Sequence, residues 1–382
     1  MPWIAPDRIF DGERLQEGLA LRIEDGRVAD LAPFDPRMGA KRMTGTLSPG
    51  FVDLQVNAGG GAAQCRSDGC RHGGDRRRSP PLGTVAILPT LITDAPEQAE
   101  RAAQAALAAR GREELLGLHL EGPHISPARR GTHAARFIRP LDRRMIDLVR
   151  RLRAGGVTVM ITLAPEAVAP GQVAELVAMR AVVSLGHSDA GFPQVQAALA
   201  EGAGAFTHLF NAMSPLSHRA PGMVGAALAS TVPAGLIADG IHVADPVIPL
   251  AFRARPAPDL TFLVSDAMPT VGGPDRFRLY DQEIRLEAGR LVNAEGHLAG
   301  AHLVMAEGVA RLVRLGLGEE TALRAAVTIP ARLIGREDLA RIAGRRATDL
   351  VRLGPGLSSC TPLGARVSAA ASGSGIGACE GA

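Results

Sequence analysis

Cysteine is scarce in this chain of 382 residues. Only Cys65, Cys70, Cys360 and Cys379 occur, and the interval 71–359 holds none. A reducing compartment fits, and no disulfide framework is implied. No apolar run approaches the ~20 residues of a spanning helix. The opening Met1-Pro-Trp-Ile-Ala-Pro-Asp7 lacks the basic segment followed by an apolar one that marks a leader. A cytoplasmic protein without a membrane partner is expected. Charge of one sign is not in excess either: 42 Lys plus Arg face 39 Asp plus Glu, for a net +3, with basic clusters only at Arg76-Arg77-Arg78 and Arg129-Arg130. Such a balance argues against a nucleic-acid partner. What remains is a chain that is 46% hydrophobic and long enough to bury a large core.

What is present is periodic. Alternating apolar residues (Ile4, Ile9, Leu19, Leu21, Ile23, Val28, Leu31), broken at Asp11-Gly12 and Asp25-Gly26, predict hairpin strands over 1–47. From Phe51 the pattern becomes strand-length apolar runs at 51–56, 85–89, 115–120, 157–163, 182–186, 203–207, 235–238 and 261–265. Helical periodicity falls at 96–110, 141–154, 171–180, 191–201, 246–254 and 303–316. This alternation favours an α/β fold of the closed (β/α)8 TIM-type barrel, whose site lies at the C-terminal strand ends; a doubly wound open sheet is the competing topology. Strand-like character returns at 347–353. A small β-sandwich domain formed by 1–47 and 341–382 is therefore expected beside a barrel spanning 48–340.

Six of the eight expected strands end in polar residues: Gln55 and Asn57, Glu121, His187, His208, Asp239 with His242, and Asp266. Glu121, His187 and His208 supply one carboxylate and two imidazoles, a common ligand set for a catalytic divalent ion that leaves a position for water. Such an ion acidifies the water, and Asp266 could take that proton and return it to a leaving group. Singly, each residue also has an ordinary reading: a hydrogen-bonded structural histidine, an Asp helix cap, a turn at Glu121-Gly-Pro123 or Asp239-Gly240. Convergence on one rim sets them apart. The loop after His208 adds Arg219, able to fork onto a phosphate or carboxylate, though a solvated Arg is the ordinary alternative. Asn211 and the backbone at Ala212 can bond hydroxyls.

Seven stretches, in order from about residue 47 to 353, carry a family resemblance. They are Leu47-Ser-Pro-Gly-Phe-Val-Asp-Leu-Gln-Val-Asn57, Gly117-Leu-His-Leu-Glu-Gly-Pro123, Gly186-His-Ser188, Thr207-His-Leu-Phe-Asn-Ala-Met213, Asp239-Gly-Ile-His242, Val264-Ser-Asp-Ala267 and Leu298-Ala-Gly300. Together they resemble the N-acetylglucosamine-6-phosphate deacetylases of the amidohydrolase superfamily. The resemblance implies metal-dependent hydrolysis of N-acetylglucosamine 6-phosphate to glucosamine 6-phosphate and acetate, in amino-sugar catabolism, with N-acetylgalactosamine 6-phosphate as the near alternative. It also implies that Glu121, His187 and His208 hold one divalent ion, zinc or iron, that Asp266 is general base and then acid, and that His133 polarises the acetyl carbonyl. Thr132, Asn211, Ala212, Arg219, Asp239, His242 and the Leu298-Ala299-Gly300 turn would hold the sugar phosphate. Arg219 would reach a neighbouring subunit's substrate in a homodimer. Many superfamily members bind two metals through a His-x-His after strand one. Here Gln55 and Asn57 stand there, which resembles the one-metal branch.

Residues 62–83 depart from that pattern. They lack an apolar period, and Gly73-Gly74 and Pro80-Pro81 oppose the first barrel helix. The tail after Gly354 is similarly poor in pattern, and all four cysteines lie in these two segments. Three readings compete for 62–83: a second metal site from Cys65, Cys70 and His72, an inserted lid, or translation out of frame with the family pattern resuming at Gly83-Thr84. An inactive barrel that only binds a sugar phosphate or a partner is the function of a different class that such damage would favour.

Overall fold

Turns at Gly12 and Gly26, both with positive φ, fold the first fifty residues into β1 (Trp3–Phe10), β2 (Leu15–Glu17), β3 (Leu19–Glu24), β4 (Arg27–Pro33) and β5 (Lys41–Pro49). At Gly12 only glycine fits, because a Cβ there would stand 2.4 Å from the Ala340 carbonyl oxygen. The computed structural model describes residues 3–57, 83–296 and 298–363.

Eight parallel strands follow: β6 (Phe51–Val56), β7 (Thr84–Ile92), β8 (Gly117–Glu121), β9 (Thr158–Leu163), β10 (Val182–Leu185), β11 (Ala205–Phe206), β12 (Ala234–Leu236) and β13 (Thr261–Leu263). They pair in chain order. The Asp266 amide donates to the Gln55 carbonyl (3.0 Å) and the Asn57 amide to that of Ala267 (2.9 Å), which joins the last strand end to the first. The expected (β/α)8 barrel thus forms, and the open sheet does not. Covered on both faces, its strands read as apolar runs rather than as alternation.

Helices wrap the outside, most with an apolar stripe turned inward. In the helix Arg143–Ala154, Asp142 caps the start by accepting from the Met145 amide, and Met145, Ile146, Leu148, Val149 and Leu152 are buried. Burying those five is worth on the order of 10 kcal/mol, an upper figure against an extended chain. Among the described residues the connection between β11 and β12 carries a helix that periodicity did not predict, Gly222–Ala229.

Beyond the last barrel strand the chain forms an antiparallel sheet absent from the sequence reading: β14 (Arg276–Leu279), β15 (Gln282–Glu287), β16 (Arg290–Val292) and β17 (Leu298–Ala301). The expected turn at Leu298-Ala299-Gly300 is therefore a strand paired to β16. Its Gly300 has φ +69 and lies so close to Met268 that a Cβ would meet that side chain at 2.6 Å. β18 (Leu350–Leu353) returns to pair with β5, and β19 (Cys360–Pro362) pairs with β18. All of β1–β5, β18 and β19 share one sheet, which encloses Ile9, Leu21, Ile23, Val28, Leu47, Ile342 and Leu350. The tail after Gly354 thus starts with a 3-10 turn, Pro355–Leu357, and then the strand β19. Residues 58–82 and 364–382, with the readings placed on 62–83, lie outside the described residues.

Candidate active site

Strand alternation points His119 and Glu121 of β8 to one side, into the barrel. Immediately past the ends of β10 and β11 come His187 and His208, and past β13 comes Asp266. All three take left-handed backbone conformations (φ 49, 28 and 50), as do Phe210 and Ala212 on the loop after β11. Such conformations cost about 1–3 kcal/mol each for residues with a Cβ and concentrate where a fold must aim a side chain.

Three donor atoms close a triangle. His187 Nε2 lies 3.2 Å from Glu121 Oε1, His208 Nε2 lies 3.1 Å from it, and the two Nε2 atoms are 3.0 Å apart. All three residues are buried. His187 Nδ1 faces the Arg129 carbonyl oxygen at 2.8 Å. A carbonyl only accepts, so Nδ1 carries a proton whether the ring is charged or neutral; a charged ring donates from Nε2 to Glu121, and a neutral ring presents an Nε2 lone pair to the triangle. Electron-rich atoms gathered this tightly away from water call for positive charge among them, protons on the imidazoles or a metal ion that the three residues could hold. Their spacing resembles the roughly 3.4 Å between neighbouring ligands on a tetrahedral zinc. Glu121, His133 and His187 also bring one ligand atom each within 4.8 Å. Of the two sets, the one with His208 is tighter, and His133 spends its Nδ1 on the Thr93 hydroxyl (2.7 Å) and amide (3.4 Å). The Thr93 amide only donates, so His133 keeps its proton on Nε2.

Gln55 and Asn57 turn out to be donors to carboxylates. The Gln55 amide nitrogen donates to Glu121 Oε1 (2.9 Å) and Asp266 Oδ1 (3.2 Å), and Asn57 Nδ2 donates to Asp266 Oδ1 (2.5 Å). Burial, followed by the Glu121 charge, pushes the Asp266 carboxyl up to about 7. Glu121 is driven the other way: burial raises it, but the hydrogen bonds and charges of His187 and His208 outweigh burial and hold it well below the usual range. Burial, then the His187 charge, pushes His133 down to about 3.

These groups line a cavity of about 180 Å³, with Thr132, Asn211, Ala212, His242, Leu298 and Gly300 also on its wall. Asp239 stands behind His242, its Oδ2 2.7 Å from His242 Nδ1 and its Oδ1 accepting from the Ile241 and His242 amides (both 2.8 Å). Burial lowers the His242 imidazole, but the hydrogen bond to Asp239 and its charge outweigh that, so its pKa is raised. The Ala212 carbonyl is already used by the Ser188 amide (3.0 Å). Besides Asp239, which stands behind His242, two expected residues do not reach the cavity. Ala299 is buried in the apolar cluster under β14–β17, and Arg219 is exposed on the surface. Residues missed by sequence reasoning include Ile92, Ile237 and Met268 on the wall and Thr93 behind His133. Nothing in their local pattern separates the three apolar ones from core residues.

No protein-family model matches the chain. An N-acetylgalactosamine-6-phosphate deacetylase of Shewanella sp. (strain ANA-3) is 39% identical over 360 residues, 91% of this chain and 90% of that relative. The Homo sapiens N-acetylglucosamine-6-phosphate deacetylase is 34% identical over 88% of this chain and 82% of its own length. Among solved structures, a variant of the Mycobacterium smegmatis N-acetyl-D-glucosamine-6-phosphate deacetylase in complex with N-acetyl-D-glucosamine-6-phosphate superposes with a TM-score of 0.81. That match is at 29% identity and covers 95% of this chain and 98% of that one.

Proposed function

The chain belongs to the N-acetylglucosamine-6-phosphate deacetylase family of amidohydrolases; from that premise we propose that it hydrolyses the acetamide of N-acetylglucosamine 6-phosphate, giving glucosamine 6-phosphate and acetate. The observation that carries this reading is the buried Glu121–His187–His208 triangle, tied through the Gln55 amide to Asp266. Those three ligands would hold one divalent ion, zinc or iron. When bound, the ion supplies Lewis acidity, which polarises a carbonyl and makes water a stronger acid.

The chain's own groups divide the remaining work. Asp266, with its two amide donors, takes the proton released when water adds to the acetyl carbon. It passes that proton to the sugar nitrogen as the C–N bond breaks. His133, protonated on Nε2, donates to the acetyl oxygen as charge grows there. Thr132, Asn211, the Ala212 amide, His242 and the Leu298–Gly300 strand bind the sugar, and Asp239 orients His242 and favours its protonated form. Arg219, too far out for its own cavity, would meet the phosphate in a partner subunit's site. A homodimer follows from that assignment, and the scarcity of cysteine fits a cytoplasmic location. Among the described residues no helix is long and apolar enough to cross a membrane.

A second reading keeps the chemistry and changes the sugar: the Shewanella relative is named for the galactosamine substrate. Acetate release from both sugar phosphates with added zinc or iron, run beside Asp266→Asn, tests the proposal. Turnover by wild type with loss in Asp266→Asn supports it; no turnover by the folded, metal-loaded protein on either substrate sinks it. The ratio of kcat/KM on the two substrates decides the epimer.

A further inference from the structure

Below the ligand triangle the barrel interior is polar where an apolar filling is the usual solution. His119, Thr162 and Ser184 are fully buried and Thr207 is 1% exposed. They form one chain of hydrogen bonds. Ser184 Oγ is 2.6 Å from Thr207 Oγ1, which is 2.7 Å from Thr162 Oγ1, which is 2.8 Å from His119 Nε2. His119 Nδ1 lies 3.0 Å from the Leu54 carbonyl oxygen.

The protons along this chain can run only one way. The Leu54 carbonyl must accept, so His119 carries its proton on Nδ1 and the neutral ring's Nε2 accepts from Thr162. That spends the single hydroxyl proton of Thr162, which must then accept from Thr207, and Thr207 in turn accepts from Ser184. Reversing any one link would set two donors or two acceptors against each other in a buried place.

The chain crosses β10, β11, β9, β8 and β6, and each ligand lies within three residues of one of its members: Ser184 before His187, Thr207 before His208, His119 before Glu121. Thr207 matters most, for two reasons. β11 is two residues long, with two register pairs to β10 and one to β12, and past its end the chain is tied by the Thr207 amide to the Leu185 carbonyl (2.9 Å) and by the Leu209 amide to that of Gly235 (2.7 Å), so the Thr207 hydroxyl is the side-chain anchor between two backbone ties that flank His208. His208 also lacks the outer bond that orients His187: its Nδ1 is buried and has no hydrogen-bond partner among the described residues. The aim of His208 is therefore left to the backbone that Thr207 anchors.

We propose that Thr207 is a positioning residue for the metal site, its hydroxyl pinning the end of β11 so that His208 meets Glu121 and His187 with the spacing a divalent ion requires. This rests on the reading that those three residues hold the ion. The test measures zinc affinity by chelator competition, and the visible spectrum of the cobalt-loaded protein, in wild type, Thr207→Val, Thr207→Ser and Ser184→Ala. Wild type that binds no zinc would overturn the metal reading itself. Given binding by wild type, Thr207→Val should raise the zinc Kd by about 10- to 100-fold, as loss of an outer-sphere partner does, and should alter the cobalt spectrum. Thr207→Ser, which keeps the hydroxyl, should restore both. A role in folding alone would lower the melting temperature of the metal-free protein while leaving the zinc Kd unchanged. Ser184→Ala strands no donor and so guards against a misfolded Thr207→Val; freeing Thr207 on one side, it should weaken zinc several-fold. Wild-type affinity in both Thr207→Val and Ser184→Ala, or in Ser184→Ala where Thr207→Val does not fold, overturns the inference.

Discussion

Asp266 is a carboxyl that burial and the Glu121 charge raise to about 7, against 3.8 for the ordinary group. Between those values the folded, metal-free protein holds a proton that the unfolded chain has lost. Stability must therefore fall as pH rises through that window, with the full penalty, on the order of a few kcal/mol, present above it. Asp53, buried and raised to about 6, adds a slope of the same sign. In chelator-treated protein the melting temperature of wild type should drop more between about pH 5 and pH 8 than that of Asp266→Asn, which keeps every other slope, that of Asp53 and the opposing one of the buried, lowered His119, His124 and His133 included; equal slopes would refute the raised Asp266. His208→Ala deletes one corner of the triangle, and metal content and turnover should vanish together when both are measured on the purified variant. Most of this chemistry was legible from residue type at strand ends, because Glu121, His187, His208 and Asp266 have few reasons to converge on one rim. The role of Gln55 was not. An amide beside two carboxylates reads as a weak ligand until its 2.9 and 3.2 Å bonds reveal a donor to both.

Elements with one buried face announced themselves, and those without did not. The helix at 143–154 shows its stripe plainly, whereas Gly222–Ala229 buries Met223, Val224, Gly225, Ala226 and Ala227 around its circumference and carries two glycines, so no period survives to be read. The sheet β14–β17 hid for another reason. Its strands are short and carry Arg276, Arg278, Glu283 and Arg285 on open faces, a composition that resembles a loop. Yet its β14–β15 turn holds the chain's only tyrosine, Tyr280, which donates to the Thr93 carbonyl. Arg136 lies 4.8 Å over the Phe137 ring and 5.8 Å over Tyr280, and pairs with Asp281 at 3.2 Å. The turn thereby clamps both Thr93, which fixes the His133 tautomer, and the segment just after His133. Tyr280→Phe should leave zinc content unchanged but lower kcat by about ten- to a hundredfold through misplacement of His133. Unaltered kcat in that variant would show that the sheet is only a wall.

For the whole molecule, the proposed role of Arg219 decides whether one subunit makes a complete site, since its own cavity does not receive it. Arg219 is exposed, and the same loop presents Leu216 at 55% exposure, large for a leucine on a surface. A second subunit covering this loop would bury Leu216 and deliver the guanidinium to a phosphate lying beyond the Asn211 side of the cavity. Arg219→Ala should then raise KM while leaving kcat and zinc content nearly unchanged, since binding is lost equally from ground and transition states. That alone does not separate help from within the chain from help across a boundary, but mixing does. A heterodimer of one Arg219→Ala chain and one Asp266→Asn chain contains a single complete site if the guanidinium comes from the partner: Asp266 of the first chain with Arg219 of the second. If each chain serves itself, one site lacks its arginine and the other its acid, and none is complete. Subunit exchange of the two inactive or weak variants, followed at low substrate, should therefore restore activity at the wild-type KM. A mixture no better than the sum of its parts would place Arg219 outside the catalytic unit.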